Sequence, residues 1–390
     1  MSADTDELLK AVVAWYEAPG FMHHALTATL APIHRYPPDP PTRRSLDAAR
    51  RVISAYHRAR ADDVSSGTSM WTHIEQRHVD FLAALDHRDA DRVQAHLGGM
   101  FTNGLTYGIA RLSAEVDPHV RYWQLRCTDA VRSLAEALAA DRVVSLEQQG
   151  AAAQQNALMV DVDRLLADTA SISGLDFECA AVGSTYGFRI ADKVVNVDTL
   201  LHSYTVNRLR QLGATSTTSI IEIGGGYGCL ADLSHRAGLC DYAIYDLPWV
   251  NALQGYFLIM ALPEHPVALY GESGSGLKVL PFWRIHDLPA ESIDYVVNIN
   301  SLPEMDAAIA REYMVVIARI LRRNFLSINQ EGMAPSVGGS QHWVSRMVNE
   351  QGALVCHSRH RWWMEQGYVE EVYGRRTDAP DTFSARGSSA

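Results

Sequence analysis

The chain has 390 residues, 47% of them hydrophobic, and a formal charge of −11 at pH 7. That is enough apolar mass for a large core and two domains, and the acid excess argues against a basic nucleic-acid footprint. No apolar run reaches the roughly 18 residues of a membrane span, and the five scattered cysteines, with no C-x-x-C pair, fit reduced thiols in a cytoplasmic protein and argue against a structural zinc site.

The N-terminal stretch "MSADTDELLKAVVAWYEA" reads as an amphipathic helix, with Leu8, Leu9, Val12, Val13 and Tyr16 on one face. It has no basic start before an apolar core, so it does not read as a signal peptide. Up to about residue 170 the pattern stays helical: "DAARRVISAYHRAR", "HIEQRHVDFLAALDHRDADRVQAHLGGMF", "VRYWQLRCTDAVRSLAEALAADR" and "AQQNALMVDVDRLLADTA" carry apolar residues three and four apart. "RYPPDPPTRR" (35–44) is too rigid and donor-poor for a helix interior. The glycines of 97–109 mark a helix end and a new start. His23, His24, His73 and His78 are too scattered for a metal site. The expected organisation is a helical domain over 1–178 that caps a site and pairs two copies, then a second domain over 179–376, then a flexible polar tail over 377–390.

From about residue 219 the period changes. "SIIEI", "DYAIYD", "IDYVVNIN" and "NFLSIN" are short β-rich runs separated by helical patterns. Trp249, Leu253, Tyr256, Phe257 and Met260 mark one such helix, and Ile309, Tyr313, Ile317, Ile320 and Leu321 another. Strands alternating with helices predict an α/β domain, a Rossmann-like doubly wound parallel sheet covered on both faces. "ALVCHSRHRWWMEQGYVEEVYGRR" predicts two further strands as a closing hairpin. Seven strands are expected in all.

The first strand of that domain runs into a glycine elbow, "SIIEIGGGYGCLADL". Such a loop lets a ligand approach the backbone and presents N–H groups at a helix start. Gly226-x-Gly228-x-x-Ala231, with Asp246 twenty residues after Gly226, satisfies a dinucleotide fingerprint. Glu222-x-Gly224-x-Gly226-x-Gly228 resembles instead the first motif of class I S-adenosylmethionine-dependent methyltransferases. An acid beside the loop suits a cationic sulfonium and ammonium and is poor for a pyrophosphate. Asp246 can accept from ribose hydroxyls in either case. Only a short stretch follows the elbow, ample for one sheet but not for a dehydrogenase's substrate domain.

Further along, "YDLPWVNALQGYFL", "VVNINSLPEMD", "FLSINQEG" and "RHRWWMEQGYVEEVY" resemble a bacterial group of sugar O-methyltransferases, as do "FLAALDHRDADRVQAHLGGMFTNGLTYGI" and "HSYTVNRLRQL". The resemblance spans most of residues 75–375. It implies methyl transfer from S-adenosyl-L-methionine to a hydroxyl of a sugar, sugar nucleotide, cyclitol or glycoside, in natural-product or glycan biosynthesis.

Open α/β sheets bind ligands outside the carboxyl ends of their strands, which selects the candidate residues. Glu222, Gly224, Gly226, Gly228, Asp246 and Leu247 would hold the donor, with Asn300 beside its methyl. Phe282 or Trp283, after the third strand, would cover the adenine. Tyr204 and Arg208, one helical turn apart, would close over the donor's carboxylate. A sugar hydroxyl ionises far above neutral pH, so a base or a metal usually assists it. Glu304 and Glu331, after adjacent strands, and His342 are the catalytic candidates, either as a base or as ligands of a divalent metal. Asn329, His360, Trp363, Glu371 and Tyr373 would bind the acceptor, because aromatics stack on sugar faces and acids accept from hydroxyls. Each of these has a structural alternative as turn, core or solvated side chain. Two other functions stay open: methylation of nitrogen or carbon, and a non-catalytic assembly role for the same fold.

Overall fold

The computed structural model describes residues 22–24, 31–62, 74–111, 120–143, 161–331, 335–336, 339–340 and 342–376. The expected helix at residues 1–18 and the expected flexible tail lie outside them. The chain opens with β1 (Ile33–Arg35), then α1 (Arg43–Asp62), α2 (Val79–Asp86), α3 (Ala90–Leu97), α4 (Val120–Ala137) and α5 (Val162–Ser173). The proline-rich run precedes α1, as its missing donors require. Thr42 and Ser45 then start the helix by exchange, Thr42 N–H to Ser45 Oγ at 2.9 Å and Ser45 N–H to Thr42 Oγ1 at 3.1 Å. Asp89 and Asp161 cap α3 and α5 by accepting from the backbone three residues on.

The N-terminal half was expected to be all helical, and it is not. Strand β1 pairs with β2 (Tyr186–Ile190), which pairs with β3 (Lys193–Val195), both antiparallel. β1 thus joins partners across the expected boundary near 178. Helix α6 (Val197–Gln211) follows, opened by a reciprocal cap between Asn196 and Thr199.

The main sheet contains β4 (Ile220–Ile223), β5 (Tyr242–Asp246), β6 (Val267–Leu269), β7 (Leu277–Pro281), β8 (Ile293–Ile299) and β9 (Leu321–Gln330). Between them run α7 (Cys229–Arg236), α8 (Pro248–Ala261) and α9 (Ala307–Ile320). After the two-residue strands β10 (Pro335–Ser336) and β11 (Gly339–Ser340) come α10 (Val344–Gln351), β12 (Leu354–Arg361) and β13 (Tyr368–Arg375). The order is β12-β13-β9-β8-β4-β5-β7-β6, with β4 to β9 parallel and β13 antiparallel to both neighbours. This is eight strands rather than the expected seven. The additional one, β6, is a three-residue edge strand, too short to show a period.

Both faces of the sheet are covered, and strand alternation sorts the side chains between them. Ile220, Tyr295 and Val297 face a core continuous with the helical half, through Val52, Phe81, Leu134, Phe188 and Leu200. Ile221, Ile223 and Val296 face a second core built on Tyr313, Met314, Ile317 and Phe325. No described helix is long and apolar enough to cross a membrane.

Sheet order reverses direction at β4. The chain moves outward through β5 and β7, then returns to place β8 on the other side of β4. The connections leaving β4 and β8 therefore diverge, which opens a crevice at their carboxyl ends. The helical half is anchored over it through α1 and α8. Gly255 of α8 sits where a Cβ would lie 2.8 Å from Leu269 and 3.0 Å from Val52 of α1. Gly255→Val should therefore push α1 away and lower unfolding free energy by roughly 1–3 kcal/mol; denaturant titration that finds no loss would contradict this packing.

Candidate active site

The crevice holds a cavity of about 420 Å³. Its floor is the elbow after β4. Gly224 has φ +71°, and a Cβ there would lie 2.3 Å from Ser301 Oγ. Gly226 has φ +56° and faces the Ile109 carbonyl, 3.4 Å from where its own Cβ would stand. Left-handed backbone and close approach together require glycine at both positions. Gly228 lies behind them as the start of α7, packed on Leu258.

Two carboxylates lie at the elbow. Glu222 is 2% exposed and accepts from the Tyr242 hydroxyl at 2.9 Å. Burial pushes its carboxyl up to about 8. Asp246, at the end of β5, accepts from the Leu247 N–H at 2.8 Å and from Gln254 Nε2 at 2.7 Å. Burial pushes it up to about 7. Gln254 also donates to the Gly226 carbonyl at 3.0 Å, so one amide ties the elbow to the acid.

The opposite wall follows β8. Asn298 Nδ2 and Ser301 Oγ both donate to the Ile223 carbonyl, at 2.9 and 3.1 Å, which locks β8 to the start of the elbow. Asn300 takes a left-handed φ of +56°, and its buried Oδ1 has no protein partner. The left-handed backbone and the orphaned acceptor leave one hydrogen-bonding position open at the cavity wall. Glu304 lines the same wall, its carboxyl raised by burial to about 7 against the opposing pull of Arg111.

The roof comes from the helical half. Arg111 donates its backbone N–H to Asp198 Oδ2 at 3.3 Å, and its guanidinium pairs with Glu365 at 2.7 Å. His202, one turn after Asp198 on α6, also lines the cavity. Its Nδ1 is buried without a partner, and burial holds the imidazole neutral, at about 3. Trp123 of α4 and Trp362, just after β12, complete the wall.

Of the sequence candidates, Glu222, Gly224, Gly226, Asp246, Leu247, Phe282, Asn300 and Glu304 line this one cavity. The others lie elsewhere. Trp283 packs edge-on to Phe282, with ring centroids 4.9 Å apart, and only Phe282 reaches the cavity. Tyr204 and Arg208 do close over a carboxylate, but it is the protein's own: the Tyr204 hydroxyl donates to Glu370 at 2.5 Å and Arg208 Nε at 2.6 Å. Asn329 is tied inside the sheet to Asn298 at 3.0 Å and Ser327 at 2.9 Å. Glu331 and Glu371 both pair with Arg359. His360 sits 3.3 Å from Glu370. Tyr373 is buried against Phe325, and Trp363 is 38% exposed. His342 donates its backbone N–H to the Pro303 carbonyl at 3.2 Å, and neither it nor Glu331 lines the cavity. Glu304, Glu331 and His342 do not form a metal site; among the described residues no group of three or more His, Cys, Asp or Glu does.

Sequence reading missed Arg111, Trp123, Asp198, His202 and Gln254, and it favoured Trp363 over Trp362 in the pair that the stretch "RHRWWMEQGYVEEVY" offered. Asp198 and His202 share a helix face by spacing, but no local motif marks them. Trp362 and Trp363 are adjacent, and the strand ends at Arg361, so alternation could not say which faces in.

No family model matches the chain, and no curated protein does. Solved structures similar to it include mitomycin 7-O-methyltransferase, at 14% identity over 67% of this chain and 98% of that one, with a TM-score of 0.32. Geranyl diphosphate C-methyltransferase from Streptomyces coelicolor A3(2) aligns at 14% over 45% and 80%, with a TM-score of 0.32. An S-adenosylmethionine-dependent methyltransferase from Mesorhizobium loti aligns at 12% over 45% and 98%, with a TM-score of 0.33. Likeness at this level leaves the functional reading to the site itself.

Replacing Tyr204 with Phe should cost about 1–3 kcal/mol of stability, because Glu370 loses a buried donor. Ligand affinity at the cavity should not change. A thermal melt with an unaltered midpoint would contradict the assignment of Tyr204 to Glu370.

Proposed function

We propose that the chain is an S-adenosylmethionine-dependent O-methyltransferase acting on a hydroxyl of a small, sugar-like molecule. The observation that carries this reading is the convergence of the glycine elbow, Asp246 and the orphaned Asn300 Oδ1 on one cavity at the sheet's crossing point. The residues present fit the donor. The elbow gives close backbone approach, Asp246 keeps lone pairs for a pair of ribose hydroxyls, and Phe282 offers an aromatic face beyond β7 for a flat base. The lining acids suit a ligand with positive groups. Among the described residues, the only lysine or arginine lining the cavity is Arg111, which is paired with Glu365, so a pyrophosphate would find no free cation there.

S-adenosylmethionine supplies a methyl carbon already activated by its bond to a sulfonium. The protein's share is then to hold the acceptor oxygen in line and to receive its proton. Glu304 suits the second task. A carboxyl that titrates near 7 is half ionised at working pH and basic enough to share a proton in the transition state. It stands on the wall beside Asn300, with Arg111 across the cavity to steady its ionised form.

Calorimetry with S-adenosylhomocysteine, NAD and NADP tests the reading. Micromolar binding of the homocysteine compound alone is expected. Gly226→Arg should abolish it, since that side chain fills the space under Ile109. A dinucleotide that binds instead, or a Gly226→Arg protein that binds normally, would overturn it. The pH dependence has a definite sign. Burial raises Glu222, Asp246 and Glu304, so these acids are largely neutral at pH 6 and ionise as pH climbs through about 7 to about 8. The preference for the cationic sulfonium over the neutral thioether should therefore grow between pH 6 and 8, by up to roughly tenfold per unit of lost proton affinity. An invariant ratio would contradict the electrostatic account.

A further inference from the structure

We infer that the acceptor taken by this cavity carries no phosphate or carboxylate, and is a hydroxylated ring of neutral or positive charge. The inference rests on the methyl-donor reading above and narrows it. Five carboxylates line the cavity, those of Asp198, Glu222, Asp246, Glu304 and Asp306, against a single arginine, Arg111. That arginine is already engaged. Its guanidinium sits 2.7 Å from Glu365 and 3.9 Å from Asp198, and its backbone N–H also goes to Asp198.

Among the described residues no other lysine or arginine lines the cavity. Of the 34 lysines and arginines, only Lys10 and Arg386 lie outside the described residues. The internal segments 25–30, 63–73, 112–119, 144–160, 332–334 and 337–338 contain none. As these lining acids ionise above about pH 7, an anionic acceptor would therefore meet like charge in a half-enclosed site whose described lining holds no free counter-ion, and such juxtaposition is strongly unfavourable.

Hydrogen-bonding capacity points the same way. An ionised phosphate or carboxylate presents acceptors only, as do Asp198 and Glu304 when ionised. A hydroxyl donates and accepts. The neutral imidazole of His202 does both as well, and its buried Nδ1 lacks a protein partner. His202 and Asp198 project from one face of α6, and the indoles of Trp123 and Trp362 give apolar surface for the carbon face of a ring. Sugar nucleotides and sugar phosphates are thereby removed from the acceptor classes, while free glycosides, cyclitols and their amino derivatives remain.

Two measurements test this. The first titrates inorganic pyrophosphate into protein saturated with S-adenosylhomocysteine. No saturable binding is expected for the wild type. Glu365→Gln should tighten binding at least about tenfold by releasing Arg111, and Glu365→Gln with Arg111→Gln should remove that gain. Saturable pyrophosphate binding to the wild type that Arg111→Gln abolishes would overturn the inference. The second measures transfer from methyl-labelled donor to matched pairs: methyl glucoside and glucose 6-phosphate, glucose and UDP-glucose, inositol and inositol phosphate. Any pair in which the anionic member is methylated as fast as its neutral parent would overturn it too. If S-adenosylhomocysteine fails to bind, the donor reading falls, and the same pyrophosphate titration on the free protein still reads the charge of the cavity.

Discussion

A carboxylate enclosed at the end of a parallel strand sets the terms for what surrounds it. Glu222 shares a face of β4 with Ile220, yet it points beneath the elbow rather than into a core. An isolated charge there is costly, and the protein meets that cost with the Tyr242 hydroxyl and a carboxyl that holds its proton to about 8. The glycines follow from this placement. A Cβ on Gly225 would stand 3.0 Å from Glu222 Oε2 and 2.6 Å from Ile244, and one on Gly224 would strike Ser301. The loop is thus pressed between the acid below and the start of the β8 turn beside it. Its remaining open side is the cavity, where Gln254 and Asp246 finish the wall.

The sheet provides one half of the site and the helical half provides the other. Arg111, which reaches across the cavity, is held by a buried chain of charges. It pairs with Glu365, and Arg126 lies 3.8 Å from the same carboxylate while it also binds Asp129 at 3.0 Å. Asp129 in turn accepts from His24 at 2.8 Å. Such a network contributes orientation more than net stability, because desolvation offsets much of the attraction. It fixes the angle at which α4, α6 and the loop after β12 face the elbow.

The legible part of this structure was the part coded locally. The strands "SIIEI", "DYAIYD" and "IDYVVNIN" correspond to β4, β5 and β8, and the closing hairpin to β12 and β13. A glycine elbow and an acid at the next strand end are visible because each is fixed by its immediate neighbours. Long-range pairing was not visible. β1 joins β2 across some 150 residues, and three-residue strands carry too little pattern to be read. The same limit separated Tyr204 and Arg208 from their true partner. Their spacing did predict a carboxylate clamp, but the carboxylate is Glu370, which only the sheet order brings near. Arg111, Asp198 and His202 were hidden because each is an ordinary polar residue on a helix or loop until the fold turns it inward.

The most direct test is a crystal structure of the protein with S-adenosylhomocysteine. The account predicts ligand hydroxyls within hydrogen-bond distance of Asp246, the amino-acid portion over Gly224 to Gly226, and Asn300 Oδ1 in contact with the ligand. Glu304, His202 and the two indoles should remain around an open volume beside the sulfur. A ligand bound elsewhere, or one in the cavity that leaves Asp246 and Asn300 without contact, would contradict the account.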